Sequence, residues 1–332
     1  MFTLVSLQAQ DVHFSQFYMT PLLLSPAEAG ARYEMQGIIN YRSQWSSVAN
    51  PYSTANGSFD MRLGKNRESG FSGIGLNIDQ DKTGFSPLKT FQAHLSYAYH
   101  IRIDERSTFG GGLTAGIIQR SISTSSIQWM NQYDGTAYNS ALPSGEPEFT
   151  NSRMSPDVGV GLHYGFSKSE KYITGNDHRV FHAGISVTHL NRPVYSFYNT
   201  SEKLFMKTTA YMNAELGLGN SDWSLVPGLV YWQQGPAQEI LAGSMFQMQL
   251  KSSSKYTGYV QGSSFSLGAY YRNKDAVVAT LLYKSAQFSA GLSYDINLSG
   301  LKSASNGRGG FEVSLRYTNP NAYLYKKHTP SI

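Results

Sequence analysis

The sequence predicts an all-β fold, a transmembrane antiparallel barrel of about fourteen strands, and three observations carry that expectation. The first is the stretch F-Q-A-H-L-S-Y-A-Y-H-I-R-I from Phe91 to Ile103. Every odd position in it is apolar or aromatic, while Gln92, His94, Ser96, His100 and Arg102 occupy even ones. A period of two over that length makes an extended strand with one greasy and one wet face, long enough to cross a bilayer at a tilt. The second is composition. Only 15% of residues are charged and 13% are aromatic, with 32 Gly and 23 Tyr, whereas a soluble chain usually carries about 25% charged residues. Mean hydropathy is nevertheless negative, and no apolar run approaches the ~18 residues of a membrane helix. A strand that shows lipid only at alternate residues hides its hydrophobicity from an averaged scale. The third is that the alternation recurs to the end of the chain in an even number of segments, as a closed single-chain barrel requires.

In chain order, the first ten residues read M-F-T-L-V-S-L-Q-A-Q, the tail of a secretory signal with Leu7-Gln8-Ala9 as a small-residue cleavage site and a mature start near Gln10 or Asp11. The positively charged n-region is missing, and a short first strand is the competing reading. Residues 11–31 contain Pro21, Pro26 and the apolar triplet Leu22 to Leu24. Such a segment would expose its apolar surface if left free in the periplasm, so it is expected to tuck into the periplasmic mouth of the barrel as a partial plug, with His13, Phe14, Pro21 and Pro26 among its residues. The barrel itself spans 32–318, with strands expected near 35–42, 57–63, 70–79, 90–103, 108–120, 156–167, 180–190, 207–219, 223–232, 240–251, 262–272, 275–283, 286–298 and 309–318. Residues 319–332 form a tail whose Lys326-Lys327-His328 cluster either touches a periplasmic partner or is simply solvated.

Connection lengths give an orientation. With the N-terminus periplasmic, the turns at 64–69, 104–107, 220–222 and 284–285 are short and polar on the periplasmic side, and 43–56, 79–89, 121–155, 191–206 and 299–308 face outward. The connections at 168–179 and 252–261 are longer than this rule wants. A soluble β-sandwich also alternates, but its strands usually run about 5–6 residues. Here strands reach ten or more, with Tyr97, Tyr99, Tyr164, Trp223, Tyr231, Trp232, Tyr270, Tyr271 and Tyr317 placed as in membrane aromatic girdles.

Motifs for chemistry are sparse. The formal charge of +5 is scattered over turns and supports no nucleic-acid stripe. The absence of cysteine is compatible with an oxidising compartment. His94, His100, His163, His182 and His189 are candidates for the lumen, and an outer-membrane hydrolase would need His94 or His100 beside a Ser or Asp. No spacing fixes a triad, and mutually satisfied lumen residues are the plainer reading. Gly110-Gly111-Gly112 has no following Lys or helix, so it marks relief of crowding in the barrel rather than a phosphate loop. No cofactor or metal motif is present.

Two stretches go beyond composition: D-V-H-F-S-Q-F-Y-M-T-P-L-L-L-S-P-A-E-A-G (Asp11–Gly30), followed by Tyr41-Arg42-Ser43-Gln44-Trp45, and Y-D-I-N-L-S-G-L-K-S-A-S-N-G-R-G-G-F-E-V-S-L-R-Y (Tyr294–Tyr317). Together they resemble the PorP/SprF family of outer-membrane proteins attached to the type IX secretion and gliding-motility machinery. That family shows H-F-S-Q-[FY], N-P-A-x-A-G, Y-R-x-Q-W and a closing A-S-N-G-R-G-G-F-E. Ser25 stands where the family usually has Asn.

The resemblance implies a non-enzymatic barrel that receives the C-terminal targeting domain of a secreted adhesin or other substrate, anchors it at the cell surface and couples to a peptidoglycan-linked or motor-linked periplasmic protein. On this reading Leu301, Lys302, Ser303, Asn306, Gly307, Arg308 and Gly309, with Arg42, Gln44 and Trp45, are the candidate partner-binding residues. Arg308 is either a surface donor for a partner or folds inward onto a lumenal acid. Trp45 is most simply a girdle anchor. The competing function is a diffusion or uptake channel of porin or fatty-acid-transporter type, which an open polar lumen would favour.

Overall fold

The computed structural model describes residues 11–44, 51–63, 69–83, 88–123, 127–145, 150–168, 176–198, 202–251, 262–300, 305 and 307–319. Fourteen antiparallel strands close into one barrel: β1 (Met35–Gln44), β2 (Tyr52–Leu63), β3 (Gly70–Thr83), β4 (Leu88–Arg102), β5 (Ser107–Ile122), β6 (Ser152–Lys168), β7 (Arg179–Thr188), β8 (Lys207–Gly217), β9 (Trp223–Gln234), β10 (Ala237–Lys251), β11 (Ser263–Arg272), β12 (Ala276–Ser285), β13 (Phe288–Asn297) and β14 (Arg308–Asn319). Each strand pairs with its sequence neighbours, and β1 pairs with β14 from Met35 opposite Asn319 to Gln44 opposite Gly310. Closure leaves no unpaired edge, which hydrocarbon would not tolerate.

The period of two sorts the side chains. Ile39, Leu95, Tyr97, Leu113, Leu267 and Leu315 point outward, while Asn40, Arg42, Ser96, His100, Thr114, Ser266 and Ser314 are buried inside. The barrel thus inverts a soluble core, with an apolar exterior for lipid and a polar interior that must satisfy itself.

Every expected strand is present, with ends that move by a few residues. The largest changes lengthen β2, which begins at Tyr52, and β6, which begins at Ser152. The ladder continues through Gln44 opposite Tyr52 and Thr83 opposite Leu88. Residues 43–44, 52–56, 79–83 and 88–89 of the expected outward loops 43–56 and 79–89 are therefore strand, because polar residues on both faces of a strand end read as loop. The two ends of the barrel are named here the near rim, where β1 begins, and the far rim, where β1 ends. The far rim also carries tight turns at 235–236 and 273–275. Its long connections are 123–151 and 189–206.

Two expected girdle aromatics belong elsewhere. Trp232 and Tyr270 are 8% and 2% exposed and face the lumen. Adjacent aromatics on a strand must split between faces, so Tyr271 is exposed outside while its neighbour Tyr270 packs inside.

Residues 11–34 run through the lumen. Asp11 meets Gln234, the last residue of β9, and His189, just past β7, both at the far rim. Gly30 and Ala31 meet Asp60 and Arg62 on β2 close to the near rim. The segment thus extends from one rim to the other, further than a segment tucked into one mouth. The first ten residues, Trp45, Leu301, Lys302, Ser303, Asn306 and the tail with Lys326, Lys327 and His328 lie outside the described residues, as does the connection 252–261.

Candidate functional site

The lumenal segment is built from short turns that suit its sequence. Pro21 opens a single helical turn, Pro21–Leu24, and Pro26 opens the next, Pro26–Glu28. Proline at the first helical position loses no bond, since that N–H has no partner anyway. Ser25 caps the second turn, its Oγ accepting from the Ala27 N–H at 3.2 Å. Serine is among the residues favoured at this capping position.

The wall yields space where the turns press on it. A Cβ on Gly112 would lie 2.5 Å from Ala27 N, and one on Gly161 would overlap Ser25 Oγ and reach 2.9 Å from Pro26 Cδ. Gly110 gives room to the His100 ring and Gly73 to the Ala29 carbonyl. The triple glycine is therefore split by strand parity: Gly110 and Gly112 face in, while Gly111 faces out beside Leu162 at 3.8 Å.

Apolar anchoring centres on Phe17, fully buried and edge-on to Tyr270, with ring centroids 5.7 Å apart. Tyr18, Met19 and Leu24 join Trp232, Leu241, Met245 and Val278 in the same cluster. His13 lies against Trp232 at 5.4 Å, and its Nε2 is 3.2 Å from Glu239.

Backbone groups carried into the lumen need partners, and the barrel supplies them from strands around the ring. The Ser15 and Gln16 N–H groups donate to the two Glu312 oxygens at 2.7 and 3.0 Å. Ser15 Oγ donates to Asp295 at 2.9 Å. Arg42 Nη1 donates to the His13 carbonyl at 2.6 Å, Arg316 donates to the Tyr18 carbonyl, and Ser186 donates to the Leu24 carbonyl. Near the opposite end, Gly30 N–H donates to Asp60 at 3.0 Å, Arg62 donates to the Gly30 and Ala31 carbonyls, and the His100 ring bonds the Ala29 carbonyl. Within the segment, Arg32 grips Glu28 bidentately at 2.7 and 2.9 Å.

The ion pairs gather into one buried cluster beneath the far rim. Arg42 Nη2 donates to Asp295 at 3.1 Å, and Arg42 Nε stands 3.0 Å from Glu312 without an aligned hydrogen bond. Arg272 Nη1 reaches Asp295 at 2.9 Å, and its Nε lies 3.2 Å from Glu239. Arg42, Asp295 and Glu312 are each no more than 2% exposed. Buried charges persist only when paired this closely. Four sequence landmarks thus meet: H-F-S-Q, Y-R-S-Q, Y-D-I-N and G-G-F-E.

Arg42, expected to touch a partner, is instead sealed inside. Gln44, Gly307, Arg308 and Gly309 do lie together at the far rim, where Gly307 adopts φ +76° and Arg308 is exposed. Its side chain is therefore not folded onto a lumenal acid. Sequence reading passed over Asp295, Arg272 and Glu239. Their signal was a charge on the lumenal parity of an apolar strand, as in Tyr294-Asp295-Ile296.

A second polar series crosses the lumen. His94 Nε2 and His189 Nδ1 bond the two oxygens of Asp157 at 2.8 and 2.9 Å, and His189 Nε2 bonds Asp11. His94 thus stands beside an acid, Asp157, as a hydrolase would need, while among the described residues neither His94 nor His100 bonds a serine hydroxyl that could act as nucleophile. Among the described residues no group of three or more His, Cys, Asp or Glu is disposed to hold a metal ion. The cavities left between segment and wall hold about 100 and 50 Å³, well short of the ~300 Å³ and upward of ordinary small-molecule pockets.

The sequence model of a family described as "Type IX secretion system membrane protein PorP/SprF" matches residues 6–317. A search of curated proteins gives no match. Among solved structures, the chain is similar to a CymD monoaromatic hydrocarbon channel, at 10% identity and a TM-score of 0.48, over 91% of this chain and 93% of that one. It is also similar to a Pseudomonas aeruginosa FadL homologue, at 9% identity and a TM-score of 0.47, over 89% and 92%.

Proposed function

We infer that this chain, which belongs to the PorP/SprF family of type IX secretion system membrane proteins, is a non-enzymatic outer-membrane barrel that holds a secreted substrate at the cell surface. The C-terminal targeting domain of that substrate, an adhesin for example, docks on the far rim. The near rim faces the periplasm and couples to a peptidoglycan-linked or motor-linked protein. With that orientation the chain enters β1 from the periplasmic side, while Asp11 lies at the outward end of the lumen.

The observation that carries the reading is the filled lumen. Among the described residues, the segment is bonded to the wall from rim to rim beside cavities of about 100 and 50 Å³, which supports a rigid pedestal over a diffusion channel. Binding capacity then lies at the rim. The connection 123–151 presents Met130 at 94%, Tyr133 at 59% and Tyr138 at 42% exposure, residue types that serve as interface anchors. Its fold is set locally: the Asp134 carboxylate accepts from the Thr136 and Ala137 N–H groups at 2.9 and 2.8 Å, which holds it below the usual carboxylate range.

The test is affinity capture of the tagged barrel from its native outer membrane in mild detergent, with mass spectrometry of what accompanies it. Recovery of a large secreted protein, lost when Arg308 and the 301–310 hairpin or Met130 and Tyr133 are altered, supports the reading. A barrel that emerges alone and conducts ions in a planar bilayer overturns it in favour of a channel.

A further inference from the structure

The cavity beneath the far rim contains a charge arrangement that neither the segment nor the ion-pair cluster explains. Arg120 on β5 and Arg153 on β6 are direct partners across the ladder. Both share the lumenal parity of buried Ile118 and Asp157, and both line this cavity. Like charges directly opposite on neighbouring strands destabilise each other. Elsewhere in the lumen Arg316 and Lys207 donate to the carbonyls of Tyr18 and Val12, while Arg42, Arg272 and Arg32 meet the carboxylates of Asp295, Glu239 and Glu28.

Arg120 and Arg153 meet none among the described residues. Arg120 Nη1 donates to the Tyr195 carbonyl at 3.1 Å, and its guanidinium lies over the Tyr195 and Phe197 rings at 4.6 and 5.3 Å. Arg153 Nη1 donates to the Ser196 carbonyl at 3.3 Å. A guanidinium has five N–H donors, and both half-buried side chains keep donors open to the cavity beyond these two carbonyls. Two acids share the cavity wall without forming an ion pair to either arginine: Asp11, which bonds His189 and attracts Arg120 from a distance, and Asp81, which accepts from the hydroxyls of Thr54 and Thr83 at 2.6 and 2.8 Å.

We propose that this cavity is a carboxylate-binding site in which Arg120 and Arg153 share one carboxylate. Its stem lies against Leu88, Ile118, Val194 and Leu204, which form the apolar part of the wall. An anion between the two guanidiniums converts a repulsive pair into two charge-assisted contacts, the stronger class of hydrogen bond. A volume of about 100 Å³ takes a carboxylate with a few carbons, not a whole lipid or sugar. Two sources share that chemistry: the C-terminal carboxylate of a polypeptide entering from the far rim, and a free short-chain carboxylic acid. The proposal rests on the anchoring function only for which chain would supply the end. The carboxylate site stands apart from it.

The experiment titrates the full-length barrel in detergent with hexanoate, with an N-acetylated peptide of neutral side chains ending in a free carboxylate, and with the same peptide amidated, by calorimetry. Both acids are expected to bind and the amide to bind about tenfold more weakly or not at all. The double variant R120Q/R153Q should lose acid binding about tenfold or more while keeping the heat-dependent gel shift of a folded barrel. Tighter binding of the peptide assigns the site to a polypeptide end, and tighter binding of hexanoate assigns it to a free acid. Either result supports a carboxylate site. Absence of acid binding at millimolar concentration, equal binding of the amide, or undiminished binding by the folded double variant overturns it. Failed capture of a secreted protein alongside intact acid binding removes the anchoring function and leaves this site, and the reverse pair of results does the opposite.

Discussion

Arg42 and Glu312 stand directly opposite each other across the β1–β14 seam, and their side chains meet 3.0 Å apart inside the closed barrel. The same Glu312 accepts the Ser15 and Gln16 N–H groups, and the same Arg42 holds the His13 carbonyl and Asp295. Closing the first strand on the last and seating the lumenal segment therefore use one set of atoms. Closure pairs the charges among the strands, and the seated segment takes up hydrogen-bonding capacity that this pairing leaves over.

Removing Arg42 takes from buried Glu312 its ion-pair partner and leaves Asp295 to Arg272 alone. Breaking a buried pair from one side costs about 3–5 kcal/mol, whereas replacing both partners with apolar residues of similar volume costs far less. Arg42→Ala is expected to lower the unfolding midpoint of the heat-modifiable barrel band sharply. The double change Arg42→Met with Glu312→Leu should recover part of that loss, although the segment's N–H groups then lack their acceptor. Equal stability of R42A and the native barrel would show that the cluster contributes nothing to closure.

The inward glycines supply a second test. Gly112→Val places side-chain atoms where Ala27 now packs, whereas Gly111→Val extends outward, its nearest neighbour Leu162 at 3.8 Å. G112V is expected to expel the segment or block assembly, and so to expose residues near Pro26 to added protease in purified protein. G111V should match the native barrel. Identical protease resistance of all three would mean that the segment does not depend on this contact.

Much of this was legible in the chain because a barrel strand repeats every two residues, so all fourteen strands and the inward parity of His94 and His100 follow from alternation alone. Strand ends were harder. Ser53, Thr54, Asp79 and Asp81 belong to ladders that rise into the far rim, where polar residues on a strand and on a loop read alike. Tertiary partners were beyond reach: nothing local in Tyr294-Asp295 announces Arg42 or Ser15, which are hundreds of positions away in sequence. The turn at Ser25-Pro26, by contrast, follows from proline stereochemistry and a capping hydroxyl.

Orientation can be read with cysteine labels, since the chain has no cysteine of its own. Pro236→Cys sits in the tight turn between β9 and β10 at the far rim, where Pro236 is exposed, and Gln287→Cys in the turn between β12 and β13 at the near rim. A membrane-impermeant maleimide on intact cells is expected to label the cysteine at the far-rim turn and to reach Q287C only after the outer membrane is permeabilised. The opposite pattern would invert the barrel and move the docking surface to the periplasm.

The lumenal segment decides between pedestal and pore. Its hold combines the aromatic packing of Phe17 on Tyr270 with wall contacts at both rims, so no single bond releases it. Deleting residues 11–31 behind an intact secretion signal removes the apolar cluster and the polar partners together. The native barrel is expected to be silent in a planar bilayer, because its interior is filled. The deletion variant should conduct if it closes at all, and Phe17→Ala, which trims the anchor but leaves the Glu312 contacts, should flicker between the two states. Steady conductance by the native protein, equal to that of the deletion, would mean that water already passes the segment and that the barrel is a channel.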